Sequence, residues 1–179
     1  ASECEFALVR QLDVLLGRAD RVEEVRDPML DRVSELGDQH EQAELRRLNR
    51  EHPGGVRRLP SPTYSPEGLA RAMAQTLEAL ESGAEVLSQA TLFDGGFVGR
   101  ADFLERTATG WLVSDTKLAR HTNVAALLQI GAYAALLEDA GAPVAPVVRL
   151  VLGDAAIRDH PLAEVLPVYR SRRARLDGI

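Results

Sequence analysis

At Gly83 the spacing of apolar residues changes, and this change constrains the fold more than any other feature of the chain. Before it, Leu69, Met73, Leu77 and Leu80 recur at the steps of one helix face, after the start signal Ser65-Pro66. After it, residues 84–93, 97–106 and 110–118 read as three strands, with Asp94-Gly95-Gly96 turning between the first two. Residues 122–140 return to helical spacing and end at Gly141 and Pro143; Val147 to Leu152 then reads as a short buried strand. A strand meander followed by a crossover helix and another strand predicts an α/β fold: a mixed sheet flanked by helices.

The flanks extend this reading. Ser2 and Glu5 form a capping box, which predicts a helix over 3–17 with Phe6, Val9, Leu12 and Leu16 near one face. Asp27-Pro28 starts a second helix, running to about Asn49, whose apolar stripe passes through Met29, Val33, Leu36, His40 and Ala43. Residues 50–64 read as a loop because of Pro53, Gly54, Gly55, Pro60 and Pro62, and a basic helix is expected over about 168–176. The 179 residues suit one domain, and 45% hydrophobic residues suffice for a core. The chain does not begin with Met, so a piece of a longer protein is one expectation. No apolar run is long enough to span a membrane, and a cytoplasmic setting is the default. A net charge of −6 counts mildly against nucleic acid as a partner, which would need a locally positive face. The lone Cys4 excludes an internal disulfide.

Chemistry concentrates on two strands. Asp115 and Lys117 are two apart, so they share a strand face. With Thr107-Ala108-Thr109-Gly110 as the hairpin loop, Arg106 pairs with Trp111 and Asp102 falls opposite Asp115. Two opposed carboxylates repel unless a cation lies between them, and Mg²⁺ or Mn²⁺ would prefer such oxygen ligands. His40 points inward from its helix, and Gln129 and Tyr133 share a helix face four residues apart. Arg100 shares the face of Asp102; Arg120 and His121 follow the Lys117 strand; Arg170, Arg172, Arg173 and Arg175 make the tail basic. Each could meet phosphates. Taken singly, each also reads as an ordinary feature: a solvated strand face, a hydrogen-bonded core histidine or an exposed basic helix.

Together and in order, His40 on a helix, Gly99-x-x-Asp102, Asp115-x-Lys117 and Gln129-x-x-x-Tyr133 resemble the nuclease domain of the PD-(D/E)xK superfamily, RecB-like branch. The chain is similar to bacterial RecB-like nucleases and to the exonucleases of CRISPR spacer acquisition, over roughly residues 28–152. The resemblance implies a restriction-endonuclease-like core and a metal-dependent deoxyribonuclease, by analogy an exonuclease, in repair, recombination or defence. It implies His40, Asp102 and Asp115 as ligands of Mg²⁺ or Mn²⁺, with the Thr116 carbonyl as a further one. Lys117 would activate water and offset charge; Gln129 and Tyr133 would support the site; Arg100, Arg120, Arg170 and Arg173 would contact DNA. The DNA would be single-stranded or have free ends, and a fused or associated helicase is an expected partner. Relatives in this branch often hold a 4Fe–4S cluster, for which Cys4 would be the first ligand, but the later cysteines it needs do not occur in this chain. The competing readings are an inactive nuclease fold that binds DNA or a protein, and an unrelated α/β domain.

Overall fold

A computed structural model describes Arg18 and residues 27–177, so the expected helix 3–17 and Cys4 lie outside the described residues. The chain divides into two units, Ala1–Glu35 and Leu36–Ile179. In chain order the elements are α1 (Pro28–Glu51), β1 (Val56–Arg58), α2 (Pro66–Glu81), β2 (Val86–Phe93), β3 (Val98–Thr107), β4 (Gly110–Lys117), α3 (Val124–Asp139), β5 (Val144–Leu152), β6 (Ile157–Pro161) and α4 (Leu162–Asp177).

Local chemistry explains where the middle helices begin. The Ser65 hydroxyl accepts the Gly68 N–H at 3.1 Å, with Pro66 in the first turn, where its missing donor costs nothing. The Asn123 side chain does the same for Ala126 N–H at 2.8 Å. Six strands form one sheet in sequential order, β1 to β6. β2, β3 and β4 are an antiparallel meander; α2 carries the parallel crossover from β1 to β2, and α3 that from β4 to β5. This is the predicted mixed α/β architecture.

Strand alternation divides the core between the two faces. Val86 and Phe103 pack with Leu45 and Leu48 of α1 on one face. Leu87, Leu104, Val113 and Leu150 pack with α2, α3 and α4 on the other. Among the described residues, no helix is long and apolar enough to cross a membrane.

Four local expectations are corrected. The 50–64 loop contains β1, a short edge strand whose Val56 packs beside the Leu48 cluster. β6 was not anticipated; it pairs antiparallel with β5 and is tied to it by the Arg149–Asp159 ion pair at 2.7 Å. α4 begins at Leu162 rather than near Val168 and carries Pro167 inside it. Pro167 forfeits a helical hydrogen bond, but Leu162, Val165 and Leu166 in the turn before it are buried in the core and hold the helix there. Finally, Met29, Val33 and Leu36 are exposed, and the inward face of α1 runs through Gly37, His40, Glu41, Glu44 and Leu48. His40 still faces in, beside acidic neighbours instead of an apolar stripe.

Candidate active site

The β3–β4 ladder runs from Thr107–Gly110 to Phe103–Ser114, the register that the hairpin loop predicts. One further step sets Asp102 opposite Asp115. There the Asp102 carboxylate reaches across to the neighbouring residue: its Oδ2 accepts from the Thr116 N–H at 2.8 Å and from the Thr116 hydroxyl at 2.7 Å. Both donors belong to the residue between Asp115 and Lys117, so that position locks one acid of the pair. Asp115 is 2% exposed, and its Oδ2 contacts the Lys117 ammonium. That oxygen has no well-directed hydrogen bond among the described residues. β4 and β5 run parallel with Asp115 beside Leu150 and Lys117 beside Leu152, so Asp115 and Lys117 lie toward the carboxyl ends of a parallel pair, with Asp102 next to them on β3. Such ends are where open α/β sheets place their ligands.

Burial, and next the Asp102 charge, push the Asp115 carboxyl from 3.8 up to about 7, against the pull of Lys117. A carboxylate raised in the folded state favours folding most when protonated. Its contribution is full below about pH 4, falls as pH rises through 7, and is flat above. In metal-free protein, Asp115→Asn should therefore gain stability relative to wild type between pH 5 and pH 8, measured as urea midpoints in EDTA. Glu41 and Glu105 are also raised and Asp159 is lowered, but all three are common to both proteins and cancel in the difference. A difference independent of pH would show that Asp115 does not titrate in this window.

Tyr133 closes the site from α3. Its hydroxyl accepts the Gln129 amide at 2.6 Å, as the four-residue spacing predicts. Burial pushes this phenol up to about 12; the nearby charges of Asp115 and Asp102 add to the shift, while Gln129 and the Arg100 backbone oppose it. The hydroxyl is therefore neutral and within the electrostatic reach of both acids. The ring lies on Gly99: a Cβ there would sit 2.2 Å from Tyr133 Cε1. The Gly99-x-x-Asp102 and Gln129-x-x-x-Tyr133 motifs are thus two halves of one contact.

His40 and its neighbour approach from α1. The His40 Nε2 lies 3.1 Å from the Val151 carbonyl, and Val151 pairs with Thr116. Glu41 accepts from Gln89 Nε2 at 2.7 Å, and the same amide lies 3.4 Å from Asp102 Oδ1. Burial and then Asp102 raise the Glu41 carboxyl, opposed by Gln89 and Arg58. Sequence reasoning missed both Glu41 and Gln89. Glu41 follows His40 directly, so a signal was available for it; for Gln89 the three-residue turn Asp94-Gly95-Gly96 points to Ala101, one residue off the observed register in which Phe93 pairs with Val98 and Gln89 comes level with Asp102.

The arginines divide. Arg100 donates to the Gln89 carbonyl at 3.3 Å and to Ser61 at 3.2 Å, next to the acids. Arg120 and His121 are exposed on the segment between β4 and α3. Arg170 instead pairs with Glu138 and Asp139, and Arg173 pairs with Asp94 at 3.6 Å and lies over the Phe97 ring. Among the described residues, no three His, Cys, Asp or Glu side chains are drawn together as a ready metal cage. A family model for the PD-(D/E)XK nuclease superfamily matches residues 7–177, nearly the whole chain, and the chain belongs to that superfamily. A search of curated proteins finds no match.

Proposed function

We propose, from membership of the PD-(D/E)XK nuclease superfamily, that this chain is a divalent-metal-dependent deoxyribonuclease of the RecB-like branch. It would act as an exonuclease on DNA that is single-stranded or has free ends, in cytoplasmic repair, recombination or defence, alone or beside a helicase. The observation that supports this reading is the meeting of Asp102, in the middle of β3, with Asp115 and Lys117 near the end of β4.

The donor set fits a hard cation. The pair of carboxylates repels, one oxygen of Asp115 is buried without a directed hydrogen bond, and oxygen donors suit Mg²⁺ or Mn²⁺. Asp102, Asp115, the Thr116 carbonyl and His40 would hold it. With Nε2–H given to the Val151 carbonyl, His40 keeps the Nδ1 lone pair as its donor, the pattern of a metal-binding histidine braced by backbone. When bound, the ion would polarise a phosphoryl oxygen and acidify its water. Lys117 would hold the attacking water and offset the charge growing on the phosphoryl oxygens. Gln129 and Tyr133 would fix the wall behind Asp115. Arg100 and Arg120 would take backbone phosphates, whereas Arg170 and Arg173 would first have to exchange carboxylate partners for phosphate.

One observation favours a second reading, a nuclease fold kept for binding: the described residues present no preassembled metal cage. The test is cleavage of end-labelled single- and double-stranded DNA, and of RNA, with Mn²⁺, Mg²⁺ or EDTA. Metal-dependent cleavage, reduced by Asp115→Ala to the EDTA level, is expected, with mononucleotide products if the action is exonucleolytic. Binding of DNA without cleavage at any metal concentration would establish the second reading instead.

A further inference from the structure

Gln89 has a backbone φ of 60° in the middle of β2. This left-handed conformation is disfavoured for a residue with a side chain, and such strain gathers where a site requires it. On either side the strand is regular: Ser88 pairs with Phe103 and Ala90 with Ala101. The distortion is therefore confined to the residue opposite Asp102. It serves the site at both ends of the residue. The side-chain amide, buried at 9% exposure, reaches Glu41 at 2.7 Å and Asp102 at 3.4 Å. The Gln89 carbonyl accepts Arg100 Nε at 3.3 Å.

We propose that Gln89 is a positioning residue that ties Glu41 of α1 to the Asp102 carboxylate, making Glu41 an additional acidic group of the cation site. This rests on the metal-dependent reading above. An amide has two hydrogens and no charge, so it can bridge two carboxylates without neutralising either. A lysine or arginine in the same place would cancel charge that a cation needs. The tie also joins the two faces of the site, because Glu41 and His40 are consecutive on α1 while Asp102 belongs to β3. Holding Glu41 therefore also holds His40, the preceding residue of α1, near β3, which carries Asp102.

The variant that separates this role from a structural one is Gln89→Gly. Glycine adopts positive φ freely, so the fold keeps or gains stability while the amide is lost. Mn²⁺ binding by calorimetry should weaken about 10- to 100-fold in Gln89→Gly, the scale seen when groups behind metal ligands are removed. Glu41→Gln should weaken it too, and the double variant should be no weaker than the worse single one, since the two residues act as a unit. Unchanged Mn²⁺ affinity in a folded Gln89→Gly, or fully additive losses, would overturn the proposal while leaving the metal-dependent reading standing. Wild type that binds no Mn²⁺ would remove both together.

Discussion

Lys117→Ala should lower the rate of metal-dependent DNA cleavage by roughly 10²- to 10³-fold, the usual effect of deleting one preorganised group that stabilises transition-state charge, while Mn²⁺ affinity measured at pH 8.5 stays at the wild-type value. The two halves of this expectation come from different sides of the same contact. Lys117 meets the Asp115 carboxylate, a buried acid already pushed up to about 7 by its surroundings, with Lys117 holding it down. Without the ammonium, Asp115 holds its proton to still higher pH, so a cation must displace that proton before binding. Measuring at pH 8.5 limits this competition and isolates the loss of the charge itself. Lys117→Arg retains the charge but replaces a compact ammonium with a wide planar head, so it should fall between wild type and Ala. Asp115→Asn, by contrast, should lose metal affinity and cleavage together. If Lys117→Ala lost affinity at pH 8.5 in parallel with rate, Lys117 would be a brace for Asp115 and not a participant in the chemistry.

The residues of this contact were legible because hairpin arithmetic is strict. A turn over 107–110 fixes Arg106 against Trp111, and every later pair follows, up to the approach of Asp102 and Asp115. The Gln129–Tyr133 bond was legible for a similar reason, since four residues along a helix return to the same face. What escaped had no strong periodic signal. β1 is three residues long with two exposed arginines, and β6 reads Ile-Arg-Asp-His-Pro; both are edge strands held by pairing more than by apolar side chains. The face of α1 misled because the helix turns charged residues inward where partners await them: Glu44 is buried against Arg47, and Glu41 meets Gln89. Apolar counting assigned the inward side to Met29, Val33 and Leu36, which are exposed. The left-handed turn at Gln89 has no sequence signature, since glutamine is not a residue type that announces positive φ.

Gly99→Ala should lower the proposed DNA cleavage through a side chain 34 residues away in the sequence, and the reason is steric. The added methyl carbon would lie 2.2 Å from Cε1 and 2.8 Å from Cδ1 of Tyr133, closer than any real contact. Gly99 is not one of the positive-φ glycines, so its backbone accepts alanine; the Tyr133 ring is the main obstacle, with Phe97 Cε1 a lesser one at 3.3 Å. The ring cannot yield without cost. It is 4% exposed, and its hydroxyl is bound to Gln129 and close enough to Asp115 and Asp102 to feel both charges. Overpacking of this kind destabilises by about 1–3 kcal/mol, and the displaced phenol withdraws the wall behind Asp115, so cleavage should fall more than stability alone explains. A double-mutant cycle tests the cause. In a Tyr133→Ala background the obstacle is gone, and adding Gly99→Ala should cost little stability, giving a coupling of about 1 kcal/mol or more between the two positions. Equal costs in both backgrounds would show that the glycine is required for another reason, such as the close approach of a nucleic-acid backbone. A coupling confined to the ring would explain why the small residue stands three positions before Asp102: the strand that presents the acid must pass directly beneath the Tyr133 ring.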